Sequence, residues 1–465
     1  MQSIRDILAD LWKQGGGDAP ALDTVALTGN EPMLPSSFRV AAAAQASIAA
    51  AGLAAAHIWR LRSGQAQKLS VELRHAAIEC RSERYLRVDD KPPPPAWDAI
   101  AGVYKTGDGR FVRLHTNFPH HRDNICKLLD CKPERDAVQA ALLKWEGETF
   151  ETAAYAGGCV VSFMRTPAEW AAHPQAKALS ELPLLTIEKI GEAPPRSWRQ
   201  GDRPLSGLRV LDLSRVIAGP VAGRTLAAHG ADVMLVSSPN LPSIPWLVID
   251  TGRGKLSCSA DLKTEEGRTV LRNLLTQADV FSQGYRPQSL AALGFSPQDA
   301  ALLSPGIVYV SLSAYGHVGP WAERRGFDSL VQTSTGFNHA EGQAAGVDGP
   351  KELPMQILDH ATGYLMAFGA MMARVRQARE GGSWHVRVSL AQTGRWLWGL
   401  GRLGDGITTA DLKAEDITPY IEQSPSGFGI LHAVRHSAML SETPTHWSRP
   451  AVPLGNDPPQ WPSRD

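Results

Sequence analysis

Asp359 stands in the run Leu353-Pro-Met-Gln-Ile-Leu-Asp359-His-Ala-Thr-Gly363, just before an apolar stretch from Tyr364 to Ala373. A carboxylate at the opening of an apolar helix has two uses. It caps the helix by accepting backbone N–H bonds. Alternatively it is a desolvated nucleophile at the positive helix end, able to take an acyl group onto its own oxygen as a covalent intermediate. Local sequence favours the cap; the segments on either side favour the nucleophile.

The other groups with reactive potential point elsewhere. Five cysteines (Cys80, Cys126, Cys131, Cys159 and Cys258) include no C-x-x-C pair. Cys126 and Cys131, with His120 and His121 upstream, match no common zinc spacing. They read as reduced thiols of a cytoplasmic protein, with neither a disulfide framework nor a metal site expected. Formal net charge is zero, and 20% of residues are charged against 43% hydrophobic. Bulk charge therefore favours neither nucleic acid nor an anionic membrane as a partner. Met1 to Trp12 reads as an amphipathic helix without the apolar region of a signal peptide. Val40 to Trp59 has the length of a membrane span and no Asp, Glu, Lys or Arg. Its many alanines, with Gln45, Ser47 and His57, instead suit close helix–helix packing in a buried core.

The elements that must position Asp359 follow from periodicity. Pro-rich punctuation falls at 92–95 and 194–204. Residues 1–95 read as a helical N-terminal segment and 96–160 as a small α+β domain that includes a hairpin over 102–117. Residues 161–204 read as a return segment and linker, 205–400 as a Rossmann-like domain, and 401–465 as a tail. Strands are expected over 208–213, 232–236, 279–282 and 307–313, with helices over 219–229, 264–277 and 287–293 between them. That alternation predicts an α/β fold, a doubly wound parallel sheet with a smaller α+β domain. Ligands of such sheets bind beyond the strands' carboxyl ends, which gathers 214–220, 237–239, 283–287 and 314–319 around one crevice. There is also an internal echo. Residues 42–76 align with 359–393 at a constant offset of 317, so that Gly52 falls on Gly369, Arg62 on Arg379, Gly64 on Gly381 and Leu73 on Leu390. Asp359 falls on Ala42, so the first copy lacks the carboxylate and is expected to be scaffold alone.

From Pro204 to Leu397 a series of short motifs comes in order. They are Pro204-Leu-Ser-Gly-Leu-Arg-Val-Leu-Asp-Leu-Ser-Arg-Val-Ile-Ala-Gly-Pro220, Leu226-Ala-Ala-His-Gly-Ala-Asp-Val233, Thr251-Gly-Arg-Gly-Lys-Leu-Ser257 and Asp261-Leu-Lys-Thr-Glu-Glu-Gly267. Then come Ala278-Asp-Val-Phe-Ser-Gln-Gly-Tyr-Arg-Pro287, Leu312-Ser-Ala-Tyr-Gly-His-Val-Gly-Pro320, Gly326-Phe-Asp-Ser-Leu-Val-Gln332 and Leu358-Asp-His-Ala-Thr-Gly363. Together they resemble the class III CoA-transferase family, which includes formyl-CoA and carnitine CoA-transferases. The resemblance implies transfer of CoA from an acyl-CoA to a carboxylic acid, with Asp359 as the covalent nucleophile. It implies coenzyme A or acyl-CoA as substrate and no permanently bound cofactor. Position by position, it implies a CoA site formed by Arg215, Ile217, Ala218, Arg253, Lys255, Gly284, Tyr285 and Arg325, with Asp328 beside the reaction centre.

The chain departs from the family pattern in places. Ile217 replaces the glutamine of formyl-CoA transferases, and Ser237 replaces an acidic residue at the end of the second strand. The small-domain piece precedes the Rossmann-like half instead of following it. Family members form interlocked dimers, so either a homodimer or an intrachain pseudo-dimer is expected. Two rival readings remain: an acyl-CoA racemase of the same fold and a non-catalytic CoA-binding scaffold. The racemase needs two acid–base groups flanking an α-carbon, and Phe327 stands where related racemases place a histidine.

Overall fold

The computed structural model describes residues 1–463. In the N-terminal unit a strand β1 (Val25–Thr28) is followed by a helix α1 (Val40–Ser63), a strand β2 (Leu69–Glu72) and a helix α2 (Leu73–Glu79). In the larger unit the strands are β3 (Leu185–Gly191), β4 (Arg209–Leu213), β5 (Asp232–Ser237), β6 (Lys255–Ser259), β7 (Val280–Gln283), β8 (Val308–Ser313) and β9 (Ser383–Ser389). They form one sheet in the order β6-β5-β4-β7-β8-β9-β3. All neighbours are parallel except β3, which runs antiparallel to β9 at the edge. Every residue of β4 is buried, as expected of a strand covered by helices on both faces. The order reverses between β4 and β7, so the crevice of a doubly wound sheet falls over the turns that follow those two strands.

The helices that matter for the crevice are α3 (Ala218–Ala228), α4 (Asp328–Ser334), α5 (Ile357–Glu380) and α6 (Leu390–Gly399). α5 packs on α3, on the sheet and on α1. Its close approach to α3 depends on Gly363, where a Cβ would lie 2.5 Å from the Ala218 carbonyl oxygen. α1 is long and apolar enough to cross a membrane by length and composition, yet it lies buried within the protein. Its alanines let it sit close against α5, as the small-residue pattern predicted.

The internal echo persists in three dimensions. α1 and α5 are each 24 residues long and hold the same offset. β2 falls on the end of β9, and the first residue of α2, Leu73, falls on the first of α6, Leu390. β1 pairs parallel with β2 as β8 does with β9. The far edge repeats as well. A short strand β10 (Met439–Leu440) runs antiparallel along β2, as β3 does along β9. Each partial sheet is thus finished by a strand from a distant part of the chain.

The small domain has its own core and a three-stranded antiparallel sheet of Gly102–Lys105, Phe111–Leu114 and Val161–Phe163. The expected boundary at 160 therefore moves to 163, because Val161–Phe163 pairs with the hairpin. Residues after 400 are more than a tail. Ile421–Ser426 and Gly429–Val434 form a sheet with Arg87–Val88, and β10 completes the N-terminal unit.

Candidate active site

The first wall of the site is the turn leaving β4. Asp212, buried in that strand, accepts hydrogen bonds from the backbone and hydroxyl of Ser214 and an ion pair from Lys255. Val216 then adopts φ of +73°, a left-handed conformation that strains a β-branched residue by about 1–3 kcal/mol. The strained turn presents Val216, Ile217 and Ala218 to open space at the start of α3. Arg215 folds back to donate to the Pro242 carbonyl, and its guanidinium lies 5.0 Å from the Phe118 ring.

Asp359 is the third residue of α5, a position from which a helix N–H needs an outside acceptor. That acceptor is another carboxylate: Asp328 Oδ2 receives the Asp359 N–H at 2.9 Å. Asp328 is fixed in turn by Gln332, whose amide donates to Asp328 and to the Met355 carbonyl, and accepts from the Leu353 N–H at 3.0 Å. The helix is therefore capped from α4. The Asp359 side chain has no hydrogen bond among the described residues, although the residue is only 7% exposed. The N-terminal copy repeats the cap without the nucleophile. Glu31, paired with Arg39, accepts the N–H of Ala42 at 3.2 Å.

The electrostatics follow from this packing. Burial raises Asp359 well above the ordinary carboxylate range, and the charges of Asp328 and then Glu83 add to the effect. Burial also raises Asp328, to about 6, although the Asp359 N–H and the Gln332 amide pull the other way. Glu83 comes from the N-terminal unit and holds His360 Nε2 at 3.1 Å.

Two cavities meet at Asp359. The smaller, about 330 Å³, lies over the carboxyl ends of β4, β7 and β8. Arg215, Ala218, Gly284, Tyr285, Arg286 and Arg325 line it, with His120 and His121 of the small domain. Arg286 and Arg325 are exposed at its mouth, and neither guanidinium has an ion-pair or hydrogen-bond partner among the described residues. The larger cavity, about 650 Å³, is walled by Trp97, His115, Ile217, Trp246, Leu247 and Phe327, with Asp328 and Glu83 near its base. Phe327 stacks on His115 with ring centres 3.7 Å apart and stands between the two spaces. Burial holds His115 down at about 3, so that wall is neutral near pH 7. Among the described residues no group of three His, Cys, Asp or Glu is placed to hold a metal ion.

Of the residues singled out from sequence, Asp359, Arg215, Ile217, Ala218, Gly284, Tyr285, Arg325 and Asp328 all line these cavities. Arg253 and Lys255 do not, and their expected place in the CoA site is corrected. Lys255 Nζ is buried 2.9 Å from Asp212 Oδ2 and 2.9 Å from the Pro220 carbonyl. Arg253 is buried against Asp250, the Val434 carbonyl and the Trp447 ring. Buried cations need such partners, and these leave no charge free for a ligand. The first copy, residues 42–76, lines neither cavity, but the N-terminal unit beyond it does. Arg81, Glu83 and Arg84, and the Pro93–Trp97 segment after them, wall the larger cavity. No local signal marked them, because they meet Asp359 only through the fold. Arg286 sat unremarked beside Tyr285 in a quoted motif.

Comparison with known proteins places this geometry in context. The model of CoA-transferase family III matches residues 205–411. The chain is 31% identical over 324 residues to an acetyl-coenzyme A transferase of Hypoxylon pulicicidum, covering 64% of this chain and 54% of that one. It is 28% identical over 406 residues to an acyl-CoA transferase of Gibberella moniliformis, covering 77% and 70%. It is 33% identical over 207 residues to the succinate–glutarate CoA-transferase of Agrobacterium fabrum, covering 40% and 51%. The chain thus spans about half the length of the first and third of these relatives. Among solved structures, a CaiB/BaiF family protein from Brucella suis is 26% identical with a TM-score of 0.38, covering 50% of this chain and 65% of that one.

Proposed function

We propose that the chain, whose residues 205–411 match the model of CoA-transferase family III, moves CoA from an acyl-CoA to a carboxylic acid by way of Asp359. One observation carries the reading: Asp328 caps α5, which leaves the Asp359 carboxylate unbonded where two cavities join.

The steps balance without an oxidant or reductant. An Asp359 oxygen attacks the thioester carbonyl; the C–S bond breaks, CoA leaves as thiolate, and an aspartyl–acyl anhydride remains. The thiolate attacks the aspartyl carbonyl of that anhydride and releases the donor acid, giving an aspartyl-CoA thioester. The acceptor carboxylate attacks that thioester, regenerating thiolate and a new anhydride. Attack of the thiolate on the acceptor's acyl carbon forms the new acyl-CoA and frees Asp359. One difficult exchange becomes several easier ones.

The smaller cavity suits the CoA side. Arg286 and Arg325 at its mouth offer guanidinium forks to phosphate oxygens, and Tyr285 a ring face to a base. The larger cavity suits the acyl and acceptor groups. Its tryptophans, Phe327, Ile217 and Leu247 favour bulky, mainly apolar acids. Because the N-terminal unit walls that cavity, we read the chain as an intrachain pseudo-dimer. The N-terminal unit then supplies what a partner subunit supplies in an interlocked dimer.

The test is chemical trapping. Incubation with an acyl-CoA and hydroxylamine is expected to convert Asp359 to its hydroxamate, found by peptide mass spectrometry. CoA binding with no modified Asp359 would replace this reading with that of a non-catalytic scaffold.

The ionisation of Asp359 yields a further expectation. Only the carboxylate attacks, so the rate should rise with pH through its elevated ionisation. Asp328→Asn keeps an oxygen to accept the Asp359 N–H but removes the neighbouring negative charge. Its acid limb in a kcat/KM profile is therefore expected at lower pH than the parent's; an unmoved limb would show that Asp328 does not tune the nucleophile. Stability runs the opposite way. The folded state holds this proton at a pH where the unfolded chain, near 3.9, has lost it. The stabilising contribution is complete below that value and disappears as pH rises through the folded ionisation.

A further inference from the structure

A second basic cavity, of about 530 Å³, lies at the opposite end of the sheet from Asp359. It is framed by Leu208, which precedes β4, by Asp279, which precedes β7, and by the 196–199 and 205–207 stretches. Arg62, Arg196, Arg199 and Arg374 all face it. Arg196 has a carboxylate partner, Asp279, at 3.3 Å. The other three have no carboxylate within ion-pair distance among the described residues. Arg62 donates only to the carbonyls of Pro204, Ser206 and Arg199, at 2.9, 2.9 and 2.5 Å. Arg374 is 4% exposed. Its terminal nitrogens reach the Gln377 side chain at 2.9 Å and the carbonyls of Arg196 and Ser197 at 2.9 and 3.2 Å. Its Nε is buried with no partner among the described residues. The exposed Arg199 guanidinium makes no hydrogen bond among the described residues. Among the described residues two carboxylates answer these four cations: Asp279 in the lining and Asp202, which faces Arg62 from outside it.

Carbonyl oxygens satisfy guanidinium hydrogen bonds without neutralising the charge. Burying a cation next to neutral acceptors is unfavourable unless an anion accompanies it. If these arginines served only to staple the linker to the sheet, Arg62 and Arg374 would suffice. Arg196 also fastens the linker, through Asp279 and the Pro305 carbonyl, but Arg199 adds charge to the same space with no hydrogen bond to the sheet among the described residues. Planar forks converging from several sides match the oxygens of a phosphate group. We propose that this cavity binds a compact, multiply charged anion of the phosphate class, at a site separate from the CoA crevice.

Pyrophosphate titrated calorimetrically at fixed ionic strength, into protein already saturated with CoA so that Arg286 and Arg325 are occupied, is the probe. One saturable site is expected. Charge reversal at exposed Arg199, Arg199→Glu, should weaken it by roughly tenfold or more, with the unfolding temperature in the absence of pyrophosphate unchanged. Arg325→Glu, at the mouth of the other cavity, should leave this binding intact. Absence of saturable heat, equal binding to Arg199→Glu, or loss of binding in Arg325→Glu would each overturn the assignment. None of these outcomes bears on whether Asp359 forms an acyl intermediate.

Discussion

Asp359→Ala is expected to abolish CoA transfer, by on the order of 10⁴-fold or more, while CoA still binds. The two halves of that expectation have separate causes. Transfer is lost because no other carboxylate among the described residues stands free at the junction of the cavities. Asp328 is committed to the N–H of Asp359 and to Gln332, and Glu83 to His360. Binding survives because the groups proposed to hold CoA, Arg215, Arg286, Arg325 and Tyr285, line the smaller cavity independently of Asp359. Folding should survive as well. The Asp359 carboxylate makes no hydrogen bond that alanine would forfeit, and its burial near Asp328 is unfavourable when charged. The variant is therefore expected to be at least as stable as the parent near neutral pH. Product analysis by mass, calorimetric titration of CoA and a urea unfolding curve measure the three effects. Retained turnover would remove Asp359 from the chemistry, and lost CoA affinity would place it in binding.

The largest stability effect is expected at Asp250. Its carboxylate receives Arg224 at 2.7 Å, Arg253 at 3.1 Å and the Ser82 hydroxyl at 2.7 Å. Asp250, Arg224 and Arg253 are almost wholly buried. Asp250→Ala strands two guanidinium groups away from water, which should destabilise the fold by about 3–5 kcal/mol. Urea unfolding checks this, and a loss below about 1 kcal/mol would show that water or rearrangement relieves the stranded charges. Burial pushes Asp250 upward, but Arg224 and Arg253 outweigh it and hold the carboxyl below its ordinary value. Its stabilisation is thus present above the unfolded ionisation and lost as pH falls through the folded one. The cluster also joins distant parts of the chain. Ser82 belongs to the N-terminal unit, and Arg253 reaches the Val434 carbonyl in the last sixty or so residues. Unfolding of the variant is accordingly expected to begin with separation of those parts.

Much of the architecture was legible before any coordinates. β4, β5, β7 and β8 lie within a residue of their expected spans, because buried parallel strands read as short apolar runs. β6 and β3 were not anticipated as strands. β6, in the Lys255–Ser259 motif, mixes polar residues with apolar ones, and β3 is a half-exposed edge. The offset of 317 survived as matched helices because glycines end both copies, Gly64 and Gly381. The site was legible in part. Residues on the turns after β4 and β7 do line one cavity, since strand ends in a doubly wound sheet converge whatever their side chains. Arg253 and Lys255 were misplaced because a basic residue in a motif looks the same whether it will meet a phosphate or a buried aspartate.

Sequence alone determined the alternation of strands and helices, the doubled helix and the station of Asp359 at the start of α5. These depend on spacing along the chain, which local periodicity and helix-end chemistry encode. Tertiary structure alone decided which carboxylate caps that helix, which cations are consumed by ion pairs, and that the N-terminal unit walls the cavity beside Asp359. Burial demands a partner for every polar group but does not name it. The name comes from residues that the fold, not the chain, makes neighbours.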